Sequence, residues 1–183
     1  MLIIVTGLPA TGKTTIARSI SARIRAPLFS KDEYKETLFD SLGTKDREWS
    51  RSIGRAAIDL MYSDVASCMR VGLTCVVESN FKPEFDNERM GKLLDEYRVS
   101  SVQVLCKADG SVVYDRFSQR ASSGDRHPGH NDAGSLDEFR PVLMRGRAEP
   151  LAVPGPLIEI DTTDFGSVDV DALVRELSAQ LVL

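Results

Sequence analysis

The sequence predicts an α/β fold, a three-layer sandwich in which a five-stranded parallel sheet carries helices on both faces and a lid. Three observations lead there. Apolar strand-like runs alternate with helical periodicities along the chain. The residues Gly7-Leu8-Pro9-Ala10-Thr11-Gly12-Lys13-Thr14 match G-x-x-x-x-G-K-[ST] at the junction of the first run and the first helix. A length of 183 residues with 42 % hydrophobic content suits one domain, residues 1–183, with a full core and no room for a second.

The first strand, Leu2 to Thr6, opens with four consecutive apolar residues, as a strand covered on both faces does. It runs into a loop that has the pattern of a phosphate-binding (P-loop) NTPase. Gly7 and Gly12 permit close approach, so successive N–H groups can curl round a β-phosphate at the positive end of the helix Thr14 to Ile24. Gly7, Pro9, Ala10, Thr11, Gly12, Lys13, Thr14 and Thr15 form the expected cradle for a nucleoside triphosphate. Lys13 should reach the β- and γ-phosphates, and the Thr14 hydroxyl should hold Mg²⁺.

A short second strand, Pro27 to Ser30, leads into Ser30-Lys31-Asp32-Glu33-Tyr34-Lys35. Ligands in open parallel sheets bind beyond the carboxyl ends of the strands. Asp32 is therefore placed either to take a proton from a substrate hydroxyl, or help hold Mg²⁺ through water, or simply to cap the helix that follows. Next comes a long helical stretch with Trp49, Ile53, Ala56, Leu60 and Val65 on one stripe, stopped by Gly72. Arg47, Arg51 and Arg55 recur every four residues on its opposite face; they read as solvated surface, or as a grip on an acidic acceptor group.

The third strand, Leu73 to Glu78, ends Val76-Val77-Glu78-Ser79-Asn80. Glu78 is placed to orient metal-bound water and Ser79 and Asn80 to grip an acceptor, the alternative being a turn before the helix Pro83 to Tyr97. Val99 to Lys107 is the fourth strand and Leu157 to Asp161 the fifth; helices fit Asp109 to Ala121, Leu136 to Arg147 and Val168 to Leu181. Arg116 and Arg120 share a helix face next to the polar stretch Ser122 to Ser135, which suits a lid spanning about residues 115–135, or else an ordinary charged surface. Within that stretch Arg126, His127 and His130 could meet an acceptor. Pro128 and Gly129 disfavour a helix that would align the two imidazoles on zinc.

The net charge of −4 gives no global attraction to nucleic acid and disfavours long polynucleotides, though a locally basic site is compatible with it. Cys68, Cys75 and Cys106 are scattered through apolar runs and read as buried thiols. No apolar stretch reaches membrane-spanning length, and the apolar start leads straight into the phosphate loop, so a cytoplasmic protein without membrane contact is expected.

Gly7 to Thr14, Lys31-Asp32-Glu33-Tyr34-Lys35, Glu78-Ser79-Asn80 and the Arg116/Arg120 pair occur in the order seen in small P-loop kinases. The chain resembles the kinase domain of phage polynucleotide 5′-kinase and the small bacterial ATP-binding kinases with an Arg-His-Pro-Gly-His loop. Chloramphenicol phosphotransferases, zeta-type toxins and gluconate kinases are similar at greater distance. The resemblance implies that Asp32 is the general base, that Lys35 stands where an acceptor-contacting arginine is found, and that Arg116 and Arg120 act on nucleotide phosphates. It also implies that adenine rests near Asp161-Thr162-Thr163. Lys for Arg at Lys35 loses a bidentate fork, and Glu stands for Asp at Glu78; both departures fall on the acceptor side. The expected activity is ATP-dependent transfer to a hydroxyl of a small molecule, a nucleoside or a nucleic-acid 5′ end. The rival is a nucleotide-dependent switch or ATPase working through a protein partner. Against a GTPase, the fourth strand ends Cys106-Lys107-Ala108-Asp109, with no Asn-Lys-x-Asp motif following.

Overall fold

The computed structural model describes residues 1–124, 126–130 and 136–181. The sheet contains β1 (Leu2–Gly7), β2 (Leu28–Ser30), β3 (Cys75–Glu78), β4 (Ser101–Lys107) and β5 (Leu157–Asp161), all parallel, in the order β2-β3-β1-β4-β5. β1 is central and buried throughout, which is what an uninterrupted apolar run requires. Alternate residues then serve opposite faces. Ile3, Val5, Val76, Val104 and Cys106 pack on Ile16 and Ile20 of α1 (Lys13–Ile24) and on Leu173 and Leu177 of the last helix, Val170–Leu181. Leu2, Ile4, Cys75 and Val77 pack on the other side, against helices between β2 and β4.

The helical stretch between β2 and β3 is two helices, α2 (Lys31–Leu42) and α3 (Arg47–Arg70). The break comes at Gly43, and Asp46 restarts the chain by accepting the Trp49 N–H at 2.8 Å. The buried stripe of α3 is Ile53, Ala57, Met61, Tyr62, Val65 and Met69. Ala56 and Leu60, expected inside, are exposed, because the buried face follows the four-residue row Ile53, Ala57, Met61, Val65 and Met69 instead. α4 (Pro83–Tyr97) has the expected bounds. α5 (Gly110–Ser123) begins after Asp109, whose carboxylate accepts the Ser111 N–H at 2.8 Å. α6 (Leu136–Leu143) stops short of Arg147 because Gly146 turns the chain against Ala108, where an added Cβ would lie 2.1 Å from the Ala108 carbonyl oxygen. The last helix is α7.

β3 and β4 start two residues later than expected, the preceding residues belonging to the approach turns. Cys75 and Cys106 are buried free thiols, pushed up to about 12 by loss of solvation, while Cys68 is half-buried. Among the described residues no helix is long and apolar enough to cross a membrane. The carboxyl ends of β1, β2 and β3 deliver Gly7, Ser30 and Glu78 to one edge of the sheet, where the chain's polar motifs meet.

Candidate active site

The loop after β1 is tightly wound. Gly7 has φ +152° and an added Cβ would lie 2.5 Å from the Cys106 carbonyl oxygen, so no side chain fits there. Ala10 and Gly12 also have positive φ, 64° and 74°. Thr11 is fully buried and its Oγ1 donates to Leu8 O at 2.8 Å, closing the curl. Gly12 is the N-cap of α1 and offers the helix no side-chain cap, which leaves the first-turn N–H groups and the positive end of the dipole to an anion. Lys13 donates from Nζ to Leu8 O at 3.4 Å and stands 3.8 Å from Glu78 Oε1.

Glu78 is almost fully buried and receives a 2.6 Å hydrogen bond from Ser30 Oγ. Ser30 is the N-cap of α2, yet its hydroxyl is turned to Glu78 instead of the helix. Asp32 makes no capping bond either: it lies in the first turn of α2 and pairs with Arg126 at 2.8 Å. Burial alone would push its carboxyl up. The positive charges of Arg126 and Lys13, with the Arg126 hydrogen bond, outweigh that and hold Asp32 well below the usual carboxylate range. Lys35 donates from Nζ to Ser50 Oγ at 3.0 Å and lies 5.3 Å over the Phe39 ring.

These groups surround a cleft of about 660 Å³, including its open mouth, at the carboxyl edge of the sheet. Pro9, Lys13, Asp32, Lys35, Glu78, Ser79, Asn80, Arg120, Arg126 and His130 all reach it, so most of the sequence-expected site converges. The exceptions are informative. Arg116 and Arg120, four residues apart, diverge. Arg120 lines the cleft, with its guanidinium 5.2 Å from the Phe117 ring. Arg116 instead donates to Thr162 O at 2.9 Å and Thr163 O at 3.0 Å, clamping α5 to the loop after β5. Thr162 Oγ1 lies 2.8 Å from Thr11 O and 3.0 Å from Lys107 O, so its hydroxyl braces the phosphate loop from behind.

Arg51 and Arg55 do not reach the cleft: both are exposed, and Arg55 donates to Ser52 Oγ at 2.8 Å. The grip on an acceptor considered for them is corrected to surface, since the face of α3 opposite its buried stripe looks away from α2. Arg47 pairs with Glu138. His127 also misses the cleft, stacking on Phe39 at 5.3 Å with its Nε2 3.2 Å from Asp40 Oδ1. The two imidazoles thus point to different carboxylates, and among the described residues no cluster of three His, Cys, Asp or Glu could hold a metal. Of the expected lid, residues 125 and 131–135 lie outside the described residues.

Sequence reasoning missed Lys31, Glu36, Phe117, Phe139 and Phe165. Lys31, Phe117 and Phe139 line the cleft. Phe165, in a 3₁₀ turn after β5, covers Gly12, where an added Cβ would lie 2.2 Å from its ring, and has the Arg116 guanidinium 5.5 Å from its centroid. No local signal marks these aromatics apart from core residues.

Residues 2–143 match the family described as AAA domain. No curated protein matches the chain. Among solved structures, a candidate kinase from Chloroflexus aurantiacus is 40 % identical, with TM-score 0.90 over 97 % of this chain and 96 % of that one. A sugar kinase from a Janibacter species is 15 % identical with TM-score 0.57, covering 98 % of this chain and 93 % of its own. A gluconokinase from Sinorhizobium meliloti is 18 % identical with TM-score 0.51, covering 99 % and 90 %. The last two show likeness of fold.

Proposed function

Because this chain belongs to the AAA domain family and has the fold of P-loop kinases, we propose that it is an ATP-dependent kinase acting as one catalytic domain in the cytoplasm. It would transfer the γ-phosphoryl group to a hydroxyl of a small molecule, a nucleoside or a nucleic-acid 5′ end. The observation that carries this reading is the convergence of Lys13, Asp32 and Arg120 on one cleft beside an uncapped helix N-terminus.

Each group has a role that its position supports. The loop N–H groups and Lys13 hold the β- and γ-phosphates, Lys13 leaving its long contact with Leu8 O to do so. The acceptor hydroxyl donates to Asp32, whose carboxylate is kept ionised; as the new P–O bond forms and the bond to the β-phosphate oxygen breaks, Asp32 takes the hydroxyl proton and ADP leaves. Arg120 meets the charge developing on the transferred group. Ser79, Asn80, Lys35, Lys31 and Arg126 form the acceptor side. The loop cradle fits a Mg²⁺-bound nucleotide: the first turn of α1 has no side-chain cap to compete with a phosphate, the Thr14 hydroxyl would hold the ion, and Glu78 is buried nearby, 3.8 Å from Lys13. When bound, that ion would supply charge neutralisation to the phosphates. Arg116, bonded to Thr162 and Thr163, edges the place proposed for adenine.

ATP turnover, with and without a panel of hydroxyl compounds, nucleosides and short 5′-hydroxyl oligonucleotides, tests the reading. Stimulation by a hydroxyl compound that itself gains phosphate supports it. Stimulation only by a protein, with inorganic phosphate as the product, overturns it in favour of a switch.

A further inference from the structure

Four side chains form one hydrogen-bonded line that begins and ends on α2. Glu36 Oε1 lies 2.8 Å from His130 Nε2. His130 Nδ1 lies 3.0 Å from Arg126 Nη2, and the same nitrogen donates to Asp32 Oδ2 at 2.8 Å. An arginine nitrogen cannot accept, so Nδ1 must offer its lone pair and Nε2 must carry the ring proton, which it gives to Glu36. Both hydrogens of Nη2 are thereby directed, one to the imidazole and one to the carboxylate.

The segment that carries the line is seated independently. Gly129 lies against the Phe39 ring so closely that an added Cβ would be 2.3 Å away. Its carbonyl accepts from Ser50 Oγ at 2.8 Å. The His130 side chain is 4 % exposed, and burial together with the Arg126 charge pushes its ring down to about 3, so the neutral imidazole persists. Asp32 and Glu36 are four residues apart and share one face of α2, which gives the segment two anchor points a turn apart.

We infer that Glu36 and His130 are positioning residues that act through Arg126: the line carboxylate–imidazole–guanidinium–carboxylate fixes the orientation of the Arg126 guanidinium against Asp32. Neither need touch a substrate. The inference concerns the resting protein and holds whatever the acceptor is, so it stands or falls apart from the kinase reading.

Arginine side-chain ¹⁵N spectroscopy of the nucleotide-free protein provides the test, with the Arg126 signals identified by their loss in Arg126→Lys. A held guanidinium gives separate, slowly exchanging Nη signals. His130→Asn keeps an acceptor in place of Nδ1 and should retain them; His130→Phe keeps a ring against Phe39 but has no acceptor and should lose them. The opposite ranking, with His130→Phe intact and His130→Asn collapsed, would show that the ring only packs and would overturn the inference. The chain has two histidines, so their ring nitrogens are readily assigned. Should a variant fail to fold, the unmodified protein still decides. An Nε2–H tautomer at His130 that stays neutral at pH 5 is the expected result, and an Nδ1–H tautomer or ordinary titration near 6.5 refutes the line.

Discussion

Asp32 shows how one side chain is assigned by its neighbours. From the sequence it could equally cap α2 or serve the cleft; in the structure it makes no cap and instead faces Arg126 with Lys13 nearby. Asp32→Asn keeps the shape and polarity but cannot take a proton. Turnover should fall by about 100-fold or more with ATP affinity nearly unchanged and only a modest drop in melting temperature from uncharging the Arg126 pair, measured by steady-state kinetics and thermal unfolding. A loss of stability with turnover intact would return Asp32 to a structural role. His130 gives a prediction of the opposite kind, in stability. Its folded-state value is near 3 against an ordinary 6.5, so between those values the unfolded chain binds a proton that the folded one refuses. Its contribution is therefore complete above 6.5 and is lost as pH falls from there towards 3. The urea midpoint should drop between pH 7 and pH 5, and His130→Asn, having nothing to titrate, should show a smaller drop. Asp32 does not confuse this window. Its carboxyl is depressed, so the stability it adds is present above its ordinary 3.8 and is lost only below that.

At the scale of elements, the segments with a strong period or a strong motif were legible, and those defined by distant contacts were not. β1, the phosphate loop, α4 and β5 follow from runs, glycines and a proline that act locally. The split between α2 and α3 was hidden because Gly43 and Asp46 sit between two stretches with compatible polarity. The divergence of Arg116 from Arg120 depends on the carbonyls of Thr162 and Thr163, more than forty residues further along the chain. The Arg-His-Pro-Gly-His run was legible as a special loop, but its seat was not, since Phe39 and Glu36 look like ordinary residues of an amphipathic helix. That seat makes a testable claim about the element. Gly129→Ala places a methyl group into the Phe39 ring, with backbone unable to yield on the loop side because Ser50 holds the Gly129 carbonyl. The segment should lift from α2. Proteolytic cleavage between residues 126 and 130 should speed up several-fold while the melting of the sheet core changes little, since neither core cluster on the sheet contains Phe39. Unchanged cleavage would mean that Phe39 moves aside instead.

In the whole molecule, the cleft is coupled to both halves of the core through β1. The residues of that strand alternate between the α1/α7 layer and the α3/α4 layer, and the phosphate loop that extends it is braced by Thr162, just after β5, and by the Phe165 ring. A nucleotide bound at the loop therefore holds the junction of the layers, and its binding energy should appear as global stability. Ligand at 100 times its dissociation constant adds about 2.7 kcal/mol to a two-state fold. For a chain of this size each kcal/mol raises the melting temperature by about 2–4 °C, so a rise of about 5–10 °C is expected with Mg²⁺ and a non-hydrolysable ATP analogue. Lys13→Ala should melt without ligand close to the parent, because among the described residues the contacts it gives up are long, a 3.4 Å hydrogen bond to Leu8 O and a 3.8 Å approach to Glu78. At the same analogue concentration it should lose most of the rise, and with it phosphotransfer. A variant that keeps the full rise would place the phosphates elsewhere than beside Lys13, whereas one that melts far below the parent without ligand would make the buried Lys13–Glu78 pair a structural ion pair in its own right.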